Sequence, residues 1–150
     1  MNIFLFDEDL EKNAKYFLLR DPKRFNKQIV ESMQLFAASM KHYFNISIEK
    51  ADGTPYIVNR ILHHPACKWL LKDIRNHTWH VQYLYHLLLL KPNHACAKSF
   101  IKSGVIRPGF FKYPEEYLCI TNSDISGLPE NATVFDKYKR HLDNKLSKNI

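Results

Sequence analysis

The sequence predicts an all-α fold, a single compact helical domain of about five or six helices. Three observations carry this expectation. Apolar residues recur at helical spacing through most of the chain, Asp21-Pro22, Pro65 and Asn76 read as helix starts, and only residues 46–58 gather β-branched side chains around a turn dipeptide. At 150 residues, 45% hydrophobic and 25% charged, the chain has ordinary globular proportions and is read as one domain, 1–150. A chain of that length buries about 68–70% of its unfolded surface, enough core to fold without disulfides or a structural metal.

After the short, strand-like segment MNIFLF, Asp7 or Asp9 can cap a first helix. Its apolar positions Leu10, Ala14, Phe17 and Leu18 recur at i, i+4, i+7 and i+8, and it ends near Arg20. Asp21-Pro22 opens a long second helix, because proline at the first helical position lacks only an N–H that would go unpaired anyway. It runs to about Phe44 with a core stripe of Phe25, Ile29, Met33, Phe36, Met40 and Tyr43 and with Arg24, Lys27, Glu31 and Gln34 opposite. Asp52-Gly53 inside ISIEKADGTPYIV suggests a small hairpin near 46–58, although a long ordered loop explains it equally. Pro65 opens a third helix through Ile74, Asn76 caps a fourth to about Leu90, and Lys91-Pro92-Asn93 closes it before a fifth at 94–103. Residues 104–130, with their prolines, glycines and aromatics, read as an irregular segment before a charged last helix from near Asn131.

Three widely spaced cysteines, Cys67, Cys96 and Cys119, contain no C-x-x-C pair and suit a reducing compartment. MNIFLF passes at once into DEDLEK, so no secretory leader is read there, and an apolar run such as Leu87 to Leu90 is far too short to span a bilayer. The expected location is the cytoplasm of a bacterium or an infected host, away from membranes. Basic residues outnumber acidic ones 22 to 15, and the excess lies in residues 41–112, which hold eleven basic and three acidic side chains. That asymmetry marks a face for a polyanion, or simply a solubilising surface.

Four scattered glycines build no phosphate-binding loop, and G-x-S-x-G is absent, which argues against nucleotide hydrolysis and acyl transfer. His77 and His80 are three apart beyond His63-His64, yet neither H-E-x-x-H nor a cysteine pair completes a ligand set, so no metal and no cofactor are expected. Lys27, Glu31 and Gln34 align at i, i+4 and i+7. They form either a solvent-facing row with one ion pair or a reactive row. The reactive reading follows if the apolar N-terminal segment packs on this helix, because an α-amine with a pKa of about 7.7–8.0 is partly unprotonated at neutral pH and would suit imine chemistry beside a carboxylate. Lys27 is a second amine, ranked behind because an ammonium in water is a poor nucleophile.

The opening MNIF, the segment KQIVESMQL and HPACKWLLKDIRNHTW resemble a family of small phage and bacterial proteins that usually begin MNIF, similar to the pyrimidine-dimer DNA glycosylases of the bacteriophage endonuclease V type. His64, Pro65, Trp69, Asn76 and Trp79 keep that family's spacing, as do Lys27, Ile29, Glu31 and Gln34. The family's Asp-Lys-His box is altered to Asp21-Pro22-Lys23-Arg24 here, and Val30 and Gln34 stand where the glycosylases carry arginines. The resemblance implies an all-helical fold, a nucleophilic N-terminal amine, here that of Met1, and Glu31 as the catalytic carboxylate. It implies a DNA N-glycosylase with lyase activity on pyrimidine dimers or another altered base in double-stranded DNA. Arg24, Lys27, Gln34, His64 and Asn76 would line the site, unless His64 and Asn76 only cap helices, and Arg60, Lys68, Lys72 and Arg75 would hold phosphates. The reading from another class is a non-enzymatic basic helical phage protein that binds nucleic acid or a host protein through its basic middle and its aromatics.

Overall fold

A computed structural model of the chain describes residues 3–104 and 128–148. Most of the irregular segment expected at 104–130, and Met1, therefore lie outside the described residues. Six α-helices carry the fold: α1 Leu10–Arg20, α2 Pro22–Phe44, α3 Pro65–Lys72, α4 Ile74–Leu89, α5 Ala95–Lys102 and α6 Val134–Ser147, with a 3₁₀ turn at Ile61–His63. Among the described residues there is no strand, and no helix is long and apolar enough to cross a membrane.

Local chemistry sets the helix ends. Asp9 caps α1 by accepting from the Lys12 N–H at 3.1 Å. Asp21 does two jobs at one corner: its own N–H bonds Phe17 O to finish α1, and its carboxylate accepts from the Arg24 N–H to start α2. Asn45 ends α2 in the left-handed region at φ 54°, a conformation asparagine tolerates better than most residues. His64 and His94 open α3 and α5 through Nδ1, and a Thr133–Asp136 capping box opens α6.

Three boundaries differ from the sequence reading. The third helix stops at Lys72, because Asp73 turns to φ −152° and caps α4 itself through the Arg75 N–H. Asn76 thus sits inside the first turn of α4, and the apolar run through Ile74 had hidden the break. The last helix begins at Val134, after its capping threonine. The hairpin near 46–58 reduces to one antiparallel bridge between Glu49 and Pro55, closed by Lys50 N–H to Thr54 O and Tyr56 N–H to Ile48 O. Pro55 has no N–H to continue a ladder, so the turn at Gly53 (φ 88°) joins no strands.

The middle of the molecule is α2, which packs against α1, α3, α4 and α5. Its stripe Phe25, Ile29, Met33 and Phe36 is fully buried. A second row, Gln28, Ser32, Leu35 and Ser39, is buried as well, since α4 covers that side: Ser39 Oγ lies 2.7 Å from His77 Nδ1. Trp69 and Trp79 meet edge to face at 5.9 Å and tie α3 to α4.

Candidate active site

Ile3, Phe4, Leu5 and Phe6 are almost wholly buried, yet none belongs to a helix or a strand. A buried backbone group without a partner costs about 1–3 kcal/mol. Side chains supply the partners here. Gln28 Oε1 accepts from the Phe4 N–H at 2.9 Å, the Tyr83 hydroxyl donates to Phe4 O at 2.7 Å, and Asn13 Oδ1 accepts from the Phe6 N–H at 2.6 Å. These three residues come from α1, α2 and α4 and are themselves buried. The ring of Phe4 is held from the other side by Phe17 at 5.2 Å, Tyr138 at 5.8 Å and His141 at 5.7 Å.

Glu31 lies three residues beyond Gln28, on the same face of α2 and about 4.5 Å further along its axis. Its side chain is 18% exposed, with Lys27 Nζ at 3.8 Å. Burial pushes its pKa up, against the opposing pull of the Lys27 and Lys145 cations. A half-buried carboxyl with a raised pKa beside a cation has the character of a general acid and base. The row foreseen on α2 is thus only partly a solvent face: Lys27 is exposed, while Arg24, Glu31 and Gln34 are partly covered. Arg24 is committed to Asp21, Nη1 to Oδ2 at 2.6 Å.

From the far end of the chain, α6 adds two residues that sequence reasoning missed. His141, 6% exposed, stacks on Phe4, and its pKa is pushed down to about 4 by burial and by the charges of Lys145, Arg24 and Lys148. Burial and the like charges of Arg24 and Lys27 lower the pKa of Lys145, against Glu31 and Asp21. Cations of α2 and α6 therefore face one another around Glu31. No pattern in α6 declares this, because the groups its side chains meet are set by tertiary packing.

The other sequence candidates sit elsewhere. His64 spends Nδ1 on the Ala66 N–H at 3.1 Å, which leaves Nε2 to carry the proton of the neutral ring, and burial lowers its pKa. Asn76 Nδ2 donates to Trp69 O at 2.8 Å and so bridges α3 and α4. Arg60, Lys68, Lys72 and Arg75 are exposed, and Arg75 is held by Asp73, Nη2 to Oδ2 at 2.7 Å. The Leu70 turn of α3, between Lys68 and Lys72, is fixed by the Tyr43 hydroxyl, and Tyr43 stands twelve residues and about 18 Å along α2 from Glu31. Among the described residues no three His, Cys, Asp or Glu side chains gather as a metal site. Cys67 and Cys96 are buried thiols whose pKa burial raises, to about 11 for Cys67, so neither serves as a nucleophile. No protein-family model, curated protein or solved structure matches the chain.

Proposed function

We propose that the chain is a DNA N-glycosylase with associated lyase activity, acting on pyrimidine dimers or another altered base in double-stranded DNA through an imine formed by one of its own amines. One observation supports this above the others: the N-terminal segment is gripped at Phe4 by Gln28, one helical turn from the half-buried Glu31. Three residues separate the Phe4 nitrogen from that of Met1, a reach of at most about 10 Å. In this reading the amine of Met1 is the nucleophile and the Glu31 carboxylate its partner.

In this reading the amine lone pair attacks C1′ of an extruded nucleotide, the C1′–N bond to the base breaks, and the base leaves with the electron pair and a proton. Ring opening, with a proton delivered to the sugar oxygen, gives the imine. Loss of a C2′ proton then expels the 3′ phosphate. Glu31 stabilises positive charge on the sugar and moves these protons, which its raised pKa suits. Lys27 and Lys145 beside Glu31, with Arg60, Lys68, Lys72 and Arg75 further along, would hold phosphates without reading sequence.

Borohydride reduction tests the reading, because it converts an imine into a stable cross-link. Wild-type chain, Glu31→Gln and an N-terminally acetylated form are mixed with duplexes carrying a cyclobutane pyrimidine dimer, an abasic site or no lesion. A cross-link on damaged DNA that acetylation removes is expected. No cross-link on any duplex, with binding that survives Glu31→Gln and is abolished by charge reversal at Lys68 and Lys72, would instead make the protein a binding module.

A further inference from the structure

We propose that Ser32 and His80 hold an internal water molecule midway along the contact of α2 with α4, where it joins two side-chain hydrogen bonds between these helices into one polar seam. The ends of the seam are direct contacts. At one, Ser39 Oγ lies 2.7 Å from His77 Nδ1; at the other, the Tyr83 hydroxyl lies 3.3 Å from Gln28 Oε1. Pairing 39 with 77 and 28 with 83 makes the two helices antiparallel, so the residues between these pairs meet in that order. Ser32 follows Gln28 by four residues and precedes Ser39 by seven, which keeps it on their face of α2. His80 is three residues from both His77 and Tyr83 and stacks on the Tyr83 ring at 5.9 Å.

Both central residues are 0% exposed, and Ser32 Oγ and both ring nitrogens of His80 have no hydrogen-bond partner among the described residues. Gln28 Nε2, one turn of α2 from Ser32, is in the same position. Buried polar groups are ordinarily paired with protein or with ordered water, so four such atoms along one helix contact call for a shared partner. Their chemistry suits water. Burial lowers the His80 pKa to about 3, so at neutral pH the ring carries one N–H and one lone pair. The serine hydroxyl gives or takes a hydrogen bond, and the Gln28 amide nitrogen only gives. A water that donates to the imidazole lone pair and to Ser32 Oγ while accepting from Gln28 Nε2 makes about three bonds, the usual number for an interior water. An ion is a poorer occupant, since the neutral side chains of the seam offer no charge to balance it. Satisfied in this way, the seam fixes the register of α2 against α4 more strictly than two apolar faces would.

The test uses the full chain and does not depend on the glycosylase reading. Water ¹⁷O relaxation dispersion counts the water molecules held for longer than the protein tumbles, and water-selected NOE spectra locate them. Wild type is compared with Ser32→Val, His80→Leu, the double variant and Tyr43→Phe, each checked for helix content and melting. In wild type a long-residence NOE from water to the His80 ring C–H protons is expected, with none at the fully buried Phe17 ring. Ser32→Val and His80→Leu should each lose about one long-lived water, and the double variant no more than either, because the water is shared. Tyr43→Phe, which removes a hydroxyl bonded to Leu70 O instead, should lose none. Equal counts in wild type, Ser32→Val and His80→Leu would overturn the proposal. Losses that sum in the double variant would mean separate waters and would overturn the shared site. A wild-type spectrum without water contact at the His80 ring would overturn it as well, whether or not the variants fold.

Discussion

Between pH 7.5 and 5 the unfolded chain takes up protons that the folded chain does not. His77, His80 and His141 are 5%, 0% and 6% exposed, and burial pushes their pKa values down to about 4, 3 and 4. The same residues titrate near 6.5 when the chain is unfolded. A folded pKa below the unfolded one means that the stability is complete above about pH 6.5 and is lost as pH falls toward the folded value. At pH 5 each histidine binds nearly one more proton in the unfolded state, so the three together remove about 3–4 kcal/mol per pH unit and about 5–6 kcal/mol from pH 7.5 to 5. A domain has only about 5–15 kcal/mol in all. His64, also lowered, adds in the same direction, and Glu31, raised, works the other way. Urea unfolding followed by tryptophan fluorescence between pH 5 and 7 measures the slope above the range in which Asp73, with its pKa held down to about 2 by Arg75, titrates. A slope of two to three protons is expected. His80→Leu, which removes two ring nitrogens without partners, should lower it by about one proton, or about 1.4 kcal/mol per pH unit, with no loss of stability at pH 7.5. A wild-type slope below one proton, or a His80→Leu slope equal to wild type, would refute the reasoning.

Asp21→Ala removes the cap of α2 and the partner of Arg24, so calorimetry should show a loss of about 1–3 kcal/mol, or about 2–4 °C in Tm per kcal/mol for a domain of this size. Glu31→Gln should raise Tm by a few degrees at pH 7 while removing the trapped adduct. The folded pKa of Glu31 lies above its unfolded value, so its ionisation weighs against the fold at neutral pH, and melting curves of variant and wild type should converge below the unfolded value. Asn76→Ala loses the bond to Trp69 O and about 1 kcal/mol of stability; its DNA affinity should equal wild type in a salt titration, and a loss there would place Asn76 in the site.

Most of the helical frame was legible in the sequence because its signals are local. Asp9, Asp21-Pro22, Pro65 and Lys91-Pro92 act on backbone groups within a turn of themselves, and the Phe25-to-Phe36 stripe is a property of one helix. The break at Asp73 was missed because Trp69, Leu70, Leu71 and Ile74 keep helical spacing across it, and only an extended φ at one residue separates the helices. Of the site, Glu31 was legible as a carboxylate on α2. Its half-burial was not, since it depends on what lies against it. Asn13, Gln28 and Tyr83 carry no motif, because their task is to satisfy a segment near the start of the chain. The one trace is a polar row at 28, 32 and 39 beside the apolar stripe, too polar for core and too regular for a loop.

The most direct measurement locates the covalent bond. Wild-type chain is reduced with borohydride on a duplex carrying a pyrimidine dimer or an abasic site, the DNA is digested away, and the sugar-bearing peptide is sequenced by mass spectrometry. The account predicts a single adduct on the α-amine of Met1, absent from Glu31→Gln. An adduct on Lys27 or another lysine, or none on any damaged duplex, would contradict it.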